Sequence, residues 1–280
     1  MHILVNDLVT LSAEPNGGNF IITGVTGLGA ADIRTSSFLF SGRSGGMVTD
    51  QLLGFRTIAI TGKIGNNVGT RAQHRIDRST LQNAMPLGTT FPIYITIFSG
   101  ETYRIDVNLT DLKLEYNRRG FISDFLIQLT AGDPYFYSTD GGDEQSALVQ
   151  RVAEGGYVTP YILPVEWELG GAPTIVDNNG DANYYPVITL NNEGLNPSIT
   201  NLATGETFAL DLGMLDGDVV VIDMYNRTVT LNGSDILGNK TDDSIWWALL
   251  PGDNPILLET DTADDPITAT ITWRNGVTGI

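Results

Sequence analysis

The chain is 280 residues long, with 41% hydrophobic residues and a mean hydropathy of +0.00, a globular balance with length for about two cores. It contains no cysteine and only two histidines, His2 and His74, which excludes disulfides, thiol nucleophiles and thiolate or multi-histidine metal centres. Its 15 basic and 33 acidic residues leave a net charge of −18, which sets it against phosphate backbones and anionic membranes as partners.

In chain order, runs rich in Ile, Val, Thr, Tyr and Phe fall at 20–25, 56–64, 91–98, 103–109 and 121–129. More follow at 207–212, 218–223, 228–232, 256–259 and 267–273. The last has a clean period of two, with Ile267, Ala269, Ile271 and Trp273 on one face and Thr268, Thr270 and Thr272 on the other. Turn formers, including 32 glycines, punctuate these runs at spacings suited to sandwiches and barrels. Residues 71–85 collect charged and long side chains ahead of Pro86 and Gly88, and predict a single helix. The polar, glycine-bearing stretch 138–144 reads as the start of a linker.

Charge supports the same division. Residues 1–150 hold 11 basic and 14 acidic residues, whereas 151–280 hold 4 and 19. Two domains are expected, 1–150 and 151–280, the first able to pack against copies of itself and the second facing solvent. Residues 1–10 hold one short apolar run broken by Asn6 and Asp7, without a basic leader or cleavage site. No stretch reaches the ~18 apolar residues of a membrane helix, so a soluble chain without a signal peptide is expected.

The motifs that suggest chemistry read better as structure. Gly42-Arg43-Ser44-Gly45-Gly46 is similar to a serine-protease nucleophile loop, but its only upstream histidine is His2 and Arg43 stands where an aspartate belongs. A glycine-rich turn is expected instead. Asp177, Asn179, Asp181 and Asn183 alternate like the first ligands of a calcium loop. Ala182 occupies the glycine position and Ile188 the closing glutamate, so an Asx-rich turn is the expectation. The acids of 260–265 have no partner histidine, and a pair such as Glu166 and Glu168 arises by chance among 33 acids. Tyr157, Tyr161, Trp167, Tyr184, Tyr185, Trp246, Trp247 and Trp273 gather in the second half. Adjacent Trp246 and Trp247 would point to opposite faces of a strand, one into the core and one outward, and saccharide contact would rest on these two. No catalytic, cofactor-binding or metal-ligating residue is expected, and no enzymatic activity.

Several blocks follow one another in a telling order. Gly42–Gly46 precedes Gly54-Phe55-Arg56-Thr57-Ile58-Ala59-Ile60-Thr61-Gly62, and residues 120–129 lead into Asp133-Pro134-Tyr135-Phe136-Tyr137. In the second half come Val176-Asp177-Asn178-Asn179-Gly180-Asp181, Tyr185-Pro186-Val187-Ile188, and Asn196-Pro197-Ser198-Ile199-Thr200-Asn201 with Thr204-Gly205-Glu206. Asp216-Gly217-Asp218 with residues 219–223, Arg227-Thr228-Val229-Thr230-Leu231-Asn232-Gly233, 246–249, Pro251-Gly252-Asp253-Asn254 and Ile271-Thr272-Trp273-Arg274 complete the series. Each block is weak alone. Their order and spacing over residues 40–280 resemble the distal tail protein family of siphophages, the siphovirus-type tail component.

The resemblance implies a mainly β fold: an N-terminal β-barrel-like or split-barrel domain that forms a ring and carries one helix, then a C-terminal galectin-like β-sandwich projecting outward. It implies a structural virion protein, made in the host cytoplasm and placed at the distal end of the tail as a baseplate or tail-tip hub component. A homohexamer would join the tail tube (major tail) protein to the tail-tip hub or tail-associated lysin protein, with receptor-binding proteins as further partners. DNA would pass through without sequence-specific binding, and neither a cofactor nor membrane insertion is implied. The charge split suits this arrangement, because strongly charged domains crowded at an axis repel one another. The alternative is a carbohydrate-binding β-sandwich module that contacts host cell-wall saccharide. The absence of a long insertion in the second half favours an adaptor.

Overall fold

The computed structural model describes residues 1–14, 18–65, 70–115, 122–151, 173–262 and 266–280. The chain forms two compact units, Met1–Asp143 with Val277–Ile280, and Glu144–Gly276. It therefore crosses between them twice, at 143–144 and at 276–277.

The first unit runs β1 (His2–Val5), β2 (Val9–Ser12), β3 (Phe20–Thr26), β4 (Ile33–Leu39), β5 (Gly46–Leu53), β6 (Arg56–Ile64), α1 (Arg71–Asn83), β7 (Phe91–Thr96), β8 (Thr102–Leu114), β9 (Ser123–Ala131) and β10 (Phe136–Ser138). Seven of these strands close on themselves in the order β8-β7-β1-β2-β3-β6-β9, with β9 pairing back onto the second half of β8. The first half of β8 pairs with β10 instead, at Arg104 and Tyr103. Closure removes most of the free sheet edge, the part of a β protein most prone to unwanted pairing.

Local chemistry accounts for the elements. The break seen in the N-terminal apolar run is a hairpin turn: Asn6 and Asp7 have φ of 48° and 55°, and Leu8 N–H donates to Val5 O at 3.0 Å. Two central residues of positive φ make the tight turn that suits strand twist, and Asn and Asp tolerate it best among residues with a Cβ. Alternation then fills the barrel with Ile3, Val5, Leu11, Ile58, Ile60, Ile93, Ile95, Val107, Ile127 and Leu129, all fully buried. Gly62 on β6 lies opposite Phe125 on β9, where a Cβ would overlap the Phe125 ring and Ile21 O. Helix α1 starts at Thr70, whose hydroxyl accepts from Gln73 N–H at 3.2 Å, and brings Leu81 to the barrel core. Its buried carboxylate, Asp77, accepts from Asn19 Nδ2 at 3.0 Å and Gln73 Nε2 at 2.9 Å. The helix ends at Asn83, ahead of Pro86, two residues short of the predicted limit.

The second unit adds β11 (Gln145–Gln150), β12 (Thr174–Asn178), β13 (Val187–Asn191), β14 (Gly194–Leu195), β15 (Ser198–Asn201), β16 (Glu206–Ala209), β17 (Gly213–Met214), β18 (Val219–Asp223), β19 (Thr228–Leu231), β20 (Ser234–Asp235), β21 (Gly252–Glu259) and β22 (Thr268–Trp273). One sheet has the order β11-β22-β13-β18-β19-β20 and the other β12-β21-β15-β16, with β14 and β17 as a short separate pair. Ile188, Leu190, Val220, Ile222, Ala269 and Ile271 from the first sheet share a core with Val176, Ile199, Phe208, Ile256 and Leu258 from the second. This is a β-sandwich built from two alternating inner faces. The fold is thus mainly β with one α-helix among the described residues, a barrel-like unit and a sandwich.

Candidate assembly surfaces

The first unit holds a buried cation clamped by backbone carbonyls. Arg56 opens β6 and is buried, beneath the ring of Phe136 at 4.3 Å. Its Nε donates to Pro134 O at 2.6 Å, Nη1 to Gly27 O at 2.8 Å and to Gly29 O, and Nη2 to Thr278 O at 2.7 Å. Among the described residues no carboxylate lies within ion-pair distance of it. Burial lowers its pKa from the ordinary arginine value, yet guanidinium remains charged in proteins. Four carbonyl dipoles therefore do the work a carboxylate would do. Gly27 permits the approach: its φ is 89°, and a Cβ there would overlap Thr57 O. Ile280 N–H also donates to Leu28 O at 2.9 Å, so the last residues of the chain are held to the 27–29 segment.

Two apolar features mark the surface of this unit. The hairpin of β4 and β5 stands as its own two-stranded sheet, and none of its residues is buried. Gly42 and Gly45 in its turn have φ of 76° and 102°, and Phe40 N–H donates to Gly45 O at 3.0 Å. This is the glycine-rich turn expected at Ser44. A groove of about 380 Å³ lies elsewhere on the unit, lined by Met85 and Leu87 after α1 and by Leu109 and Leu112 on β8. The β8–β9 register slips between Leu109 and Asp111, where the bulge shapes one wall.

In the second unit the two tryptophans differ. Trp247 is buried and its indole N–H donates to Ile199 O at 3.3 Å, which places it in the core and out of reach of any saccharide. Saccharide contact through Trp247 is corrected on that ground. Trp246 is half-buried, its ring 4.7 Å from that of Phe208. The exposed aromatic pair is a different one, Tyr185 and Tyr225, whose ring centres lie 6.3 Å apart. Tyr225 has no distinguishing signal in the sequence: it sits in the turn after β18, where Asp223 Oδ1 accepts from its N–H at 3.0 Å.

The alternating Asx stretch is a turn. Asn178 is buried, donates to Ala182 O at 2.9 Å and accepts from Gly180 N–H at 3.1 Å, while Asp177 faces solvent. Among the described residues no three His, Asp or Glu side chains are grouped to hold a metal. Asp261 accepts from Asn196 Nδ2 at 2.7 Å. Asp264, Asp265, Glu166, Glu168, Tyr157, Tyr161 and Trp167 lie outside the described residues.

Charge separates the two units more sharply than the halves of the sequence. The first unit has 11 basic and 13 acidic residues, net −2, and the second has 4 and 20, net −16. Large single-sign charge keeps a surface soluble and unassociated, and its absence lets copies approach.

Residues 179–276 match the family model described as siphovirus-type tail component, C-terminal domain. No curated protein sequence matches the chain. Among solved structures, the Dit protein (gp 19.1) of phage SPP1, described as a paradigm of the hub adsorption apparatus in phages that infect Gram-positive hosts, shares the fold with a TM-score of 0.69 at 15% identity, over 98% of each chain. A chain of the phage P2 baseplate in its activated conformation with calcium gives a TM-score of 0.45 at 8% identity, over 92% of each chain. One from the strontium form gives 0.46 at 9%, over 97% of this chain and 96% of that one. Through the match of residues 179–276 to the siphovirus-type tail component model and the fold it shares with the SPP1 protein, this chain resembles the distal tail protein family.

Proposed function

We propose that the chain is a structural distal-tail protein of a siphophage, six copies of which form a ring joining the tail tube to the tail-tip hub and receptor-binding apparatus. The family match of the sandwich, together with a fold shared end to end with a protein described as a hub, carries this reading. The near-neutral first unit is the part suited to self-association, and the acidic second unit the part suited to solvent. A barrel closed over seven strands leaves side chains rather than free backbone edges to make the contacts between copies. The ring would guide DNA mechanically, without catalysis, cofactor or base recognition, and the protein would reside in the virion at the end of the tail. Gold-labelled antibody against the chain, imaged on virions of the phage that encodes it, should mark the distal tail tip. Label on the capsid, or along the whole tail, would overturn the reading.

A second reading, saccharide binding by the sandwich, is favoured by the exposed Tyr185–Tyr225 pair, with the half-buried Trp246 as a further contact. Binding of the chain to host cell-wall polysaccharide should then fall on Tyr225→Ala and, less strongly, on Trp246→Ala. Retention after both changes would remove it.

A further inference from the structure

In the sheet β11-β22-β13-β18-β19-β20, residues such as Leu190, Val220 and Ala269 point into the sandwich core, so by alternation their neighbours point outward. Strand register sets those outward residues in rows that cross the strands. A central row is Ser146, Thr272, Val187, Asp223 and Thr228. The row on one side of it is Leu148, Thr270, Thr189, Val221 and Thr230. On the other side, two residues further along each strand, Glu144 pairs with Arg274 at 2.7 Å and Tyr185 meets Tyr225 at 6.3 Å.

The hydroxyls of this face are unengaged. Thr270 stands directly opposite Thr189, as Thr200 does to Thr207 and Thr96 to Thr102 on other sheets. Those two pairs close hydrogen bonds of 2.9 Å across their strands. Thr189, Thr230, Thr270 and Thr272 make no side-chain hydrogen bond among the described residues. Each hydroxyl offers one donor and two acceptors, held on a stiff β-branched side chain, so a ligand would meet them already in place. Tyr185 and Tyr225, 41% and 73% exposed, set apolar ring faces beside them. A sugar ring has the matching chemistry, a C–H face that stacks on an aromatic ring and a rim of hydroxyls that exchanges hydrogen bonds.

Charge and dimensions narrow the ligand. The second unit is net −16, which repels an anionic chain. Arg274 is matched by Glu144, and Asp223 is engaged by Tyr225 N–H and by Asn226, so neither selects a charged group. Rows two residues apart lie ~7 Å from each other, which leaves the central row as a track between the tyrosines and the Thr270–Thr189–Thr230 row. The track crosses five strands, about 19 Å at ~4.8 Å per interval, and takes about four sugars of an extended chain.

We propose that this outer face binds an uncharged linear polysaccharide laid across the strands, with Tyr185 and Tyr225 stacking on it and Thr189, Thr270, Thr272 and Thr230 hydrogen-bonding its hydroxyls. The inference rests on the saccharide reading above, to which it adds the threonine rows and the class of ligand.

The probe is the cell-wall polysaccharide of the phage's host, hydrolysed to fragments of increasing length and separated into neutral and anionic fractions. In calorimetry with the intact chain, neutral fragments should bind with an affinity that rises with length to about four sugars, then levels. The affinity should be the same at low and high salt. The double variant Thr189→Val with Thr270→Val keeps shape and strand preference but removes two hydroxyls, and should weaken binding about tenfold. Its far-UV circular dichroism and urea transition should match those of the parent. Binding that falls with Tyr225→Ala but is unmoved by the threonine pair would overturn the extended face and leave the saccharide reading standing. Binding of anionic fragments alone, or an affinity independent of length, would overturn the ligand class. Binding of no fraction would overturn this inference and the saccharide reading together.

Discussion

Replacing Arg56 by methionine tests the carbonyl clamp directly. Methionine keeps much of the volume beneath Phe136 but donates nothing, so the carbonyls of Gly27, Gly29, Pro134 and Thr278 lose their shared partner. Gly29 is exposed and its carbonyl can be hydrated, whereas a carbonyl left unpaired away from water costs about 1–3 kcal/mol, so those of Gly27, Pro134 and Thr278 set a gross upper limit of about 3–9 kcal/mol. Two effects reduce it. Methionine spares the unit the burial of a cation, which itself costs several kcal/mol, and the half-buried Thr278 leaves its carbonyl partly open to water. A net destabilisation of about 2–4 kcal/mol is expected, the unpaired carbonyls less the relieved burial of the cation. Arg56→Lys should cost less, because an ammonium keeps the charge and three of the donors. The assay can be specific to one unit. All four tryptophans lie within 144–276, so their fluorescence follows the second unit alone, whereas far-UV circular dichroism follows both. In urea, Arg56→Met should move the dichroism transition of the first unit to lower denaturant and leave the tryptophan transition in place. Removing residues 277–280 should give a smaller loss, less than additive with Arg56→Met because Thr278 O is one of the shared carbonyls. A variant within about 1 kcal/mol of the parent would refute the clamp as a major source of stability.

Three further outcomes follow from particular contacts. Gly62→Ala should destabilise the barrel by about 1–3 kcal/mol, because its Cβ must displace the Phe125 ring and press on Ile21 O; an unchanged melting temperature would contradict that packing. Trp247→Ala should cost the sandwich about 3–5 kcal/mol in a denaturation experiment, as expected for an aromatic removed from a core, and a loss below 1 kcal/mol would place the ring elsewhere. Asp218 accepts from Leu215 N–H and Asn232 Nδ2, both at 2.8 Å, which holds its pKa below the ordinary 3.8. A carboxylate lowered on folding adds stability that is present above its unfolded pKa and is lost as pH falls through the folded one. NMR titration should show Asp218 titrating below 3.8, and in Asn232→Ala its midpoint should rise; no change between the two proteins would remove the stated cause.

Much of the fold was legible because alternation is a direct print of a half-buried strand. Ile267, Ala269, Ile271 and Trp273 are all buried as the period of two requires, and β6 and the helix start fall where the pattern put them. Other elements left no such print. The β4–β5 hairpin is exposed on both faces within its own unit, so its residues follow no inside-outside rhythm. The first hairpin was hidden by Asn6 and Asp7, which interrupt an apolar run but are the residues a tight turn of positive φ selects. The return of Val277–Ile280 to the first unit depends on a contact 222 residues apart in sequence, Arg56 with Thr278, and local pattern carries no information about it. The assembly surfaces were legible only in part. Charge asymmetry was read from composition, but Trp246 and Trp247 could not be told apart by spacing, and exposure at Tyr225 is set by the turn after β18.

The solution mass of the intact chain tests the central claim most directly. Light scattering behind a sizing column, at low and high salt, should return about six times 30.2 kDa. A mass of 30.2 kDa at every concentration and both salts would contradict a self-assembling ring.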